Sequence, residues 1–104
     1  MSPKDVKAKL DRGENFVLLD VREPYEVEMA HIEGAVVIPS DDVAARALEL
    51  PKDKELIVFC HHGGRAMMAA FVLKRKGFTK VAVMAGGIDA WSIHVDPAVP
   101  RYES

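Results

Sequence analysis

Four short apolar runs punctuate the chain: FVLLD at 16–20, AVVI at 35–38, LIVF at 56–59 and VAVM at 81–84. They are too continuous to leave one face wet, so each reads as a strand covered on both sides. The segments between them have helical character. Ser2, Pro3 and Asp5 supply a hydroxyl cap, a first-turn proline and an acid three residues after the cap, predicting a helix to about Arg12, stopped by Gly13. Glu23-Pro24 opens a short helical turn to about Ala30, and Ser40, after Pro39, is placed to cap a helix to about Leu48. Residues 64–76 are rich in Ala, Met and Leu and end at Gly77, while Gly86-Gly87 turns into a last short helix holding Trp91. Met67, Met68, Phe71 and Val72 have helical spacing and are expected to pack inward.

Strand and helix alternate with short connections. That pattern predicts an α/β fold: parallel strands, right-handed crossovers and helices on both faces. At 104 residues the chain is expected to be one domain, 1–104, with 96–104 as an irregular tail carrying Pro97 and Pro100.

Composition narrows the function. The net charge of -2, with Lys and Arg scattered among acids, offers no general attraction for nucleic acid or an anionic membrane. No apolar stretch reaches transmembrane length and no leader precedes the first helix, so a cytoplasmic protein is expected. A single cysteine permits no internal disulfide.

That cysteine, Cys60, is the main chemical candidate. ELIVFCHHGGR places it at the end of an apolar strand, ahead of a loop with Gly63 and Gly64 and a helix that starts near Arg65. Ligands of open parallel sheets bind beyond the carboxyl ends of the strands. Inward-turned loop amides and the positive end of the following helix both favour a cysteine anion there. Arg65 is placed to fold back as a planar fork over a bound oxyanion. His61 and His62 add local positive potential or acid and base function, although adjacent loop histidines are more often simply solvated. Cys60, His61, His62 and His31 lack the spacing of a zinc motif, so no metal is expected. Asp20 and Arg22, with Glu23, follow the first strand at the same edge and fit a supporting ion-pair network better than direct ligand contact.

Three blocks, LLDVREPYEVEMAHIEGAVVIP at 18–39, IVFCHHGGR at 57–65 and VMAGGIDAW at 83–91, resemble the rhodanese-like family of sulfurtransferases. The resemblance covers nearly the whole chain. It implies a single rhodanese-like domain with a four- or five-stranded, mostly parallel sheet and no cofactor. Ala30 stands before His31 where glycine is usual, and the family's short strand before the first helix has little room upstream of Ser2. Cys60 would be the persulfide-forming nucleophile, with residues from His61 to Arg65 binding the substrate. The implied reaction is a two-step relay. Sulfane sulfur passes from a small anionic donor such as thiosulfate to Cys60, and then to cyanide, a small thiol or a protein acceptor. Fold relatives that act on phosphate esters place five residues between Cys and Arg, whereas this chain has four, a ring better sized for sulfur. The alternatives are a partner-binding module that makes no use of the cysteine and, less favoured, a phosphatase or arsenate reductase.

Overall fold

The four apolar runs form one parallel sheet in the computed structural model, which describes residues 1–103. Ser104, the last residue of the expected tail, lies outside the described residues. Among the described residues the strands are β1 (Phe16–Asp20), β2 (Val36–Val37), β3 (Glu55–Phe59) and β4 (Val81–Val83), in the order β2-β1-β3-β4. Leu19 pairs with Val36 on one side and Val58 on the other, and Ile57 pairs with Ala82.

Strand alternation divides the core into two layers. Leu19, Leu56 and Val58 point to one face, where helices α3 (Val43–Arg46) and α4 (Gly64–Arg75) contribute Val43, Ala66, Ala69 and Leu73. Leu18, Ile57 and Phe59 point to the other, covered by Val6 of α1 (Pro3–Asp11) and by Ile88 and Trp91 of α5 (Gly87–His94). A further short helix, α2 (Pro24–Met29), links β1 to β2.

Helix α1 begins with a reciprocal cap: the Asp5 amide donates to Ser2 Oγ at 3.1 Å and the Ser2 amide donates to Asp5 Oδ2 at 3.3 Å. Among the described residues, Met1 and Ser2 before it are not in a strand. Met1 nevertheless lies along the end of β4, its amino group donating to the Val83 carbonyl at 3.0 Å and its carbonyl accepting from Ala85 at 2.7 Å.

Three sequence expectations need correction. The AVVI run yields only the two-residue edge strand β2, with Val36 43% exposed rather than covered on both sides, because no strand lies beyond it among the described residues. The helix predicted from Ser40 is broken into a 3-10 turn at Ser40–Asp42, the four-residue α3 and a second 3-10 turn at Ala47–Glu49, and the Ser40 side chain caps nothing. A segment this short between Pro39 and Pro51 closes few i→i−4 bonds, so tight turns take both ends. On α4, Met67, Met68 and Phe71 do not pack inward. They are 66%, 65% and 56% exposed, whereas Ala66, Ala69, Ala70 and Leu73 form the buried stripe. Those alanines let the helix approach the sheet closely; only Val72 of the predicted set packs against the core.

Candidate active site

Cys60 directly follows β3, so the central part of the sheet carries it to the carboxyl edge. It is 2% exposed and belongs to the same hydrophobic layer as Leu19 and Ala66. The sulfur, however, is met by amides. Gly63 donates to Sγ at 3.0 Å and Ala66, in the first turn of α4, donates at 3.4 Å. Gly63 has φ +141°, a conformation nearly restricted to glycine, and this turn brings its N–H back toward the sulfur. Unsatisfied N–H groups at a helix start stabilise negative charge, so this environment suits a sulfur anion or a negatively charged sulfur adduct.

A second helix start holds the other side of the loop. The amides of Ile88 and Asp89 donate to the carbonyls of Cys60 and His61 at 2.9 and 3.2 Å. The approach is so close that a Cβ on Gly87 would lie 2.3 Å from the Cys60 oxygen and 2.4 Å from the His61 oxygen. Gly87, at φ +62°, therefore seats α5 against the cysteine loop.

Arg65 is not left as an open fork. Both terminal nitrogens donate to Glu26 of α2, with Nη2 to Oε2 at 2.9 Å, in a two-point ion pair. Glu26 is 1% exposed and also accepts from the Glu23 amide at 3.1 Å and the Tyr102 hydroxyl at 2.8 Å. The Arg65 bonds, followed by the smaller contributions of Tyr102 and the amide, overcome the cost of burial and hold its carboxyl down to about 2. Glu26 in turn raises the pKa of Arg65.

Asp20 and Arg22 form a buried pair behind this site. Arg22 donates to Asp20 through Nε at 3.0 Å and Nη2 at 2.7 Å, and to the carbonyls of Glu26 and Ala30 at 3.2 and 2.7 Å. Its Nη1 also donates to the Tyr102 hydroxyl at 2.9 Å. The guanidinium is thus surrounded by acceptors, as a buried cation requires.

His61 is buried and His62 exposed. The His61 ring lies 4.0 Å from that of His62 and 4.0 Å from that of Tyr102, and among the described residues neither of its nitrogens has a hydrogen-bond partner. Desolvation, then the neighbouring His62, lowers its pKa from 6.5 and favours the neutral ring. His31 lies elsewhere, paired with Glu33 at 3.1 Å.

Sequence reasoning missed the positions of Glu26 and Tyr102. The acid in the first turn after Glu23-Pro24 was a local signal for Glu26, but it pairs with Arg65 across 39 residues. Tyr102 had no such signal; it reaches Glu26 from 76 residues away, carried by a strap in which Ser92 Oγ donates to the Val99 carbonyl at 2.6 Å and Arg101 pairs with Asp89 at 2.9 Å.

Residues 2–94 match the family described as Rhodanese-like domain. The chain belongs to this family. The rhodanese-like domain is 44% identical over 86 residues to the Putative sulfur carrier protein YrkF of Bacillus subtilis, covering 83% of this chain and 46% of that protein. It is 35% identical over 89 residues to the Thiosulfate sulfurtransferase GlpE of Pseudomonas syringae, covering 86% of this chain and 82% of that one. The crystal structure of a rhodanese-related protein from Thermoplasma volcanium superposes with a TM-score of 0.85 at 27% identity, covering 98% and 97% of the two chains. Several curated relatives are longer, and the chain spans only 26% of some of them. The observed sheet has four strands, all parallel, at the lower end of the expected four or five. Among the described residues no helix is long and apolar enough to cross a membrane.

Proposed function

We propose that this rhodanese-like domain is a sulfurtransferase in which Cys60 accepts a sulfane sulfur and passes it on as a persulfide. The observation that carries the reading is the pair of amides from Gly63 and Ala66 converging on Cys60 Sγ. Similarity to a sulfur carrier and to a thiosulfate sulfurtransferase supports the same chemistry.

The Cys60 thiolate attacks the outer sulfur of a donor, thiosulfate or an organic persulfide. A new Sγ–S bond forms, the donor's S–S bond breaks, and sulfite or a thiolate leaves with the electron pair. The terminal sulfur of Cys60–S–S⁻ rests among the loop amides until cyanide, a small thiol or a protein thiol attacks it. The protein supplies donors fixed in advance where negative charge arises. In this reading Gly64 and Arg65, which line the adjoining groove, act with the exposed His62 and the buried His61 in holding the donor, and the buried Asp20–Arg22 pair supports the site. The experiment is a single turnover: protein loaded with excess thiosulfate or persulfide and freed of donor should yield one equivalent of thiocyanate with cyanide. Cys60→Ser should yield none, and a wild-type protein yielding none with either donor would refute the reading.

A further inference from the structure

The cations beside the Cys60 loop are already paired. Arg65 is held at two points by Glu26, Arg22 by Asp20, and Arg101 by Asp89, while burial favours the neutral form of His61. Glu26 is not a loosely placed counterion. Four donors converge on its carboxylate, from Arg65, Tyr102 and the Glu23 amide, and it is 1% exposed with Arg65 in place. A dianion that required Arg65 for itself would take two of the four donors, and the cation, from a buried carboxylate. A donor with one negative charge, carried on the sulfur to be transferred, needs only the loop amides.

The surface beside the loop agrees with this electrostatic reading. A groove of about 410 Å³ borders Arg65 and is lined by Ser40, Asp41, Gly64, Met68, Ala69 and Val72. Among the described residues Arg65 is its only cationic lining residue, and Asp41 adds an acid to the lining. Apolar walls with a carboxylate suit the organic tail of a persulfide and repel a small dianion.

We propose that Glu26 selects the sulfur donor: by holding Arg65 it sets the Cys60 site for organic persulfides, R–S–S⁻, over dianionic thiosulfate. This rests on the sulfurtransferase reading and names its substrate class. The donor arrives as R–S–S⁻ and takes the proton of the Cys60 thiol; the Cys60 thiolate then attacks the outer sulfur of R–S–SH, the S–S bond of the donor breaks, and R–S⁻ leaves with the electron pair. The balance is Cys60–SH + R–S–S⁻ → Cys60–S–SH + R–S⁻, with no external oxidant or reductant.

The test compares kcat/KM for 2-hydroxyethyl persulfide, whose tail is uncharged, and thiosulfate with one common acceptor. Wild type is expected to favour the persulfide by about tenfold or more, and Glu26→Gln to cut that ratio about tenfold through a lower KM for thiosulfate, as one freed charge interaction implies. An unchanged or increased ratio in a folded Glu26→Gln protein overturns the proposal. Should that variant fail to fold, the salt dependence of wild type decides. A paired Arg65 predicts that thiosulfate kcat/KM changes less than about twofold between low and moderate salt, whereas a fall of about fivefold reveals an unpaired cation and overturns it. Loading of Cys60 by both donors with equal efficiency defeats the role of Glu26 alone; loading by neither defeats the sulfurtransferase reading as well.

Discussion

The ring of Tyr102 lies parallel to that of His61, with centroids 4.0 Å apart and planes 9° from each other, so the chain's C-terminal strap covers the residue next to the nucleophile. The same tyrosine donates its hydroxyl to Glu26 and accepts from Arg22, and burial pushes its own ionisation up to about 12. One side chain therefore ties the Asp20–Arg22 pair, the partner of Arg65 and the cysteine loop together.

Tyr102→Phe retains the stack and removes the hydroxyl, leaving Arg22 and Glu26 each short of one bond. A loss of about 1–2 kcal/mol is expected, whereas Tyr102→Ala, which also removes the ring, should cost about 3 kcal/mol or more. Urea unfolding of the two variants checks the order; equal costs would show that the hydroxyl contributes nothing beyond the ring.

Gly87→Ala places a methyl against the carbonyls of Cys60 and His61 in a left-handed conformation, so α5 or the loop must shift. A destabilisation of about 2–4 kcal/mol is expected, together with slower sulfur loading of Cys60 in the protein that remains folded. Thermal unfolding and loading rate measure the two effects, and a variant that matches wild type in both would contradict the close approach.

Arg22→Leu leaves Asp20 buried without its cation. Removal of one partner of a buried pair costs about 3–5 kcal/mol, while the paired change Asp20→Asn with Arg22→Leu should cost less than Arg22→Leu alone. A double-mutant cycle by chemical denaturation reads this coupling directly.

Two of the depressed groups, His61 and Glu26, are the ones buried at the candidate site, and each adds its own pH dependence. His61 has a folded pKa below 6.5, so between these values the unfolded chain binds more protons, and stability present above pH 6.5 declines as pH falls through that window. Glu26 has a folded pKa of about 2 against 4.5, so its contribution is intact above pH 4.5 and is lost as pH falls from 4.5 toward 2. That second loss should be about 2 kcal/mol, reduced from the full linkage value because Arg65 is one-third exposed. Denaturation midpoints across this range should therefore fall in two stages, and His61→Phe should remove the upper one.

Local pattern made the strands, α1 and the cysteine loop legible. The apolar runs of β1 and β3 encode two-sided burial, Ser2 and Asp5 encode a cap, and a cysteine between a strand and a glycine loop encodes its place at the sheet edge. The partners of Arg65 and His61 were not legible, because Glu26 and Tyr102 meet them only through long-range packing. A guanidinium at a helix start reads equally well as an anion clamp or half of an ion pair, and sequence spacing does not separate the two. The exposed face of α4 was missed for a related reason: Met67, Met68 and Phe71 are more apolar than the alanines beside them, but the sheet needed the small residues.

The central claim is that Cys60 carries transferable sulfur, and intact-mass measurement after exposure to thiosulfate and to 2-hydroxyethyl persulfide tests it most directly. The predicted result is a gain of one sulfur atom in wild type, mapped to Cys60, absent from Cys60→Ser and removed by a thiol. An unmodified wild-type mass with both donors would contradict it.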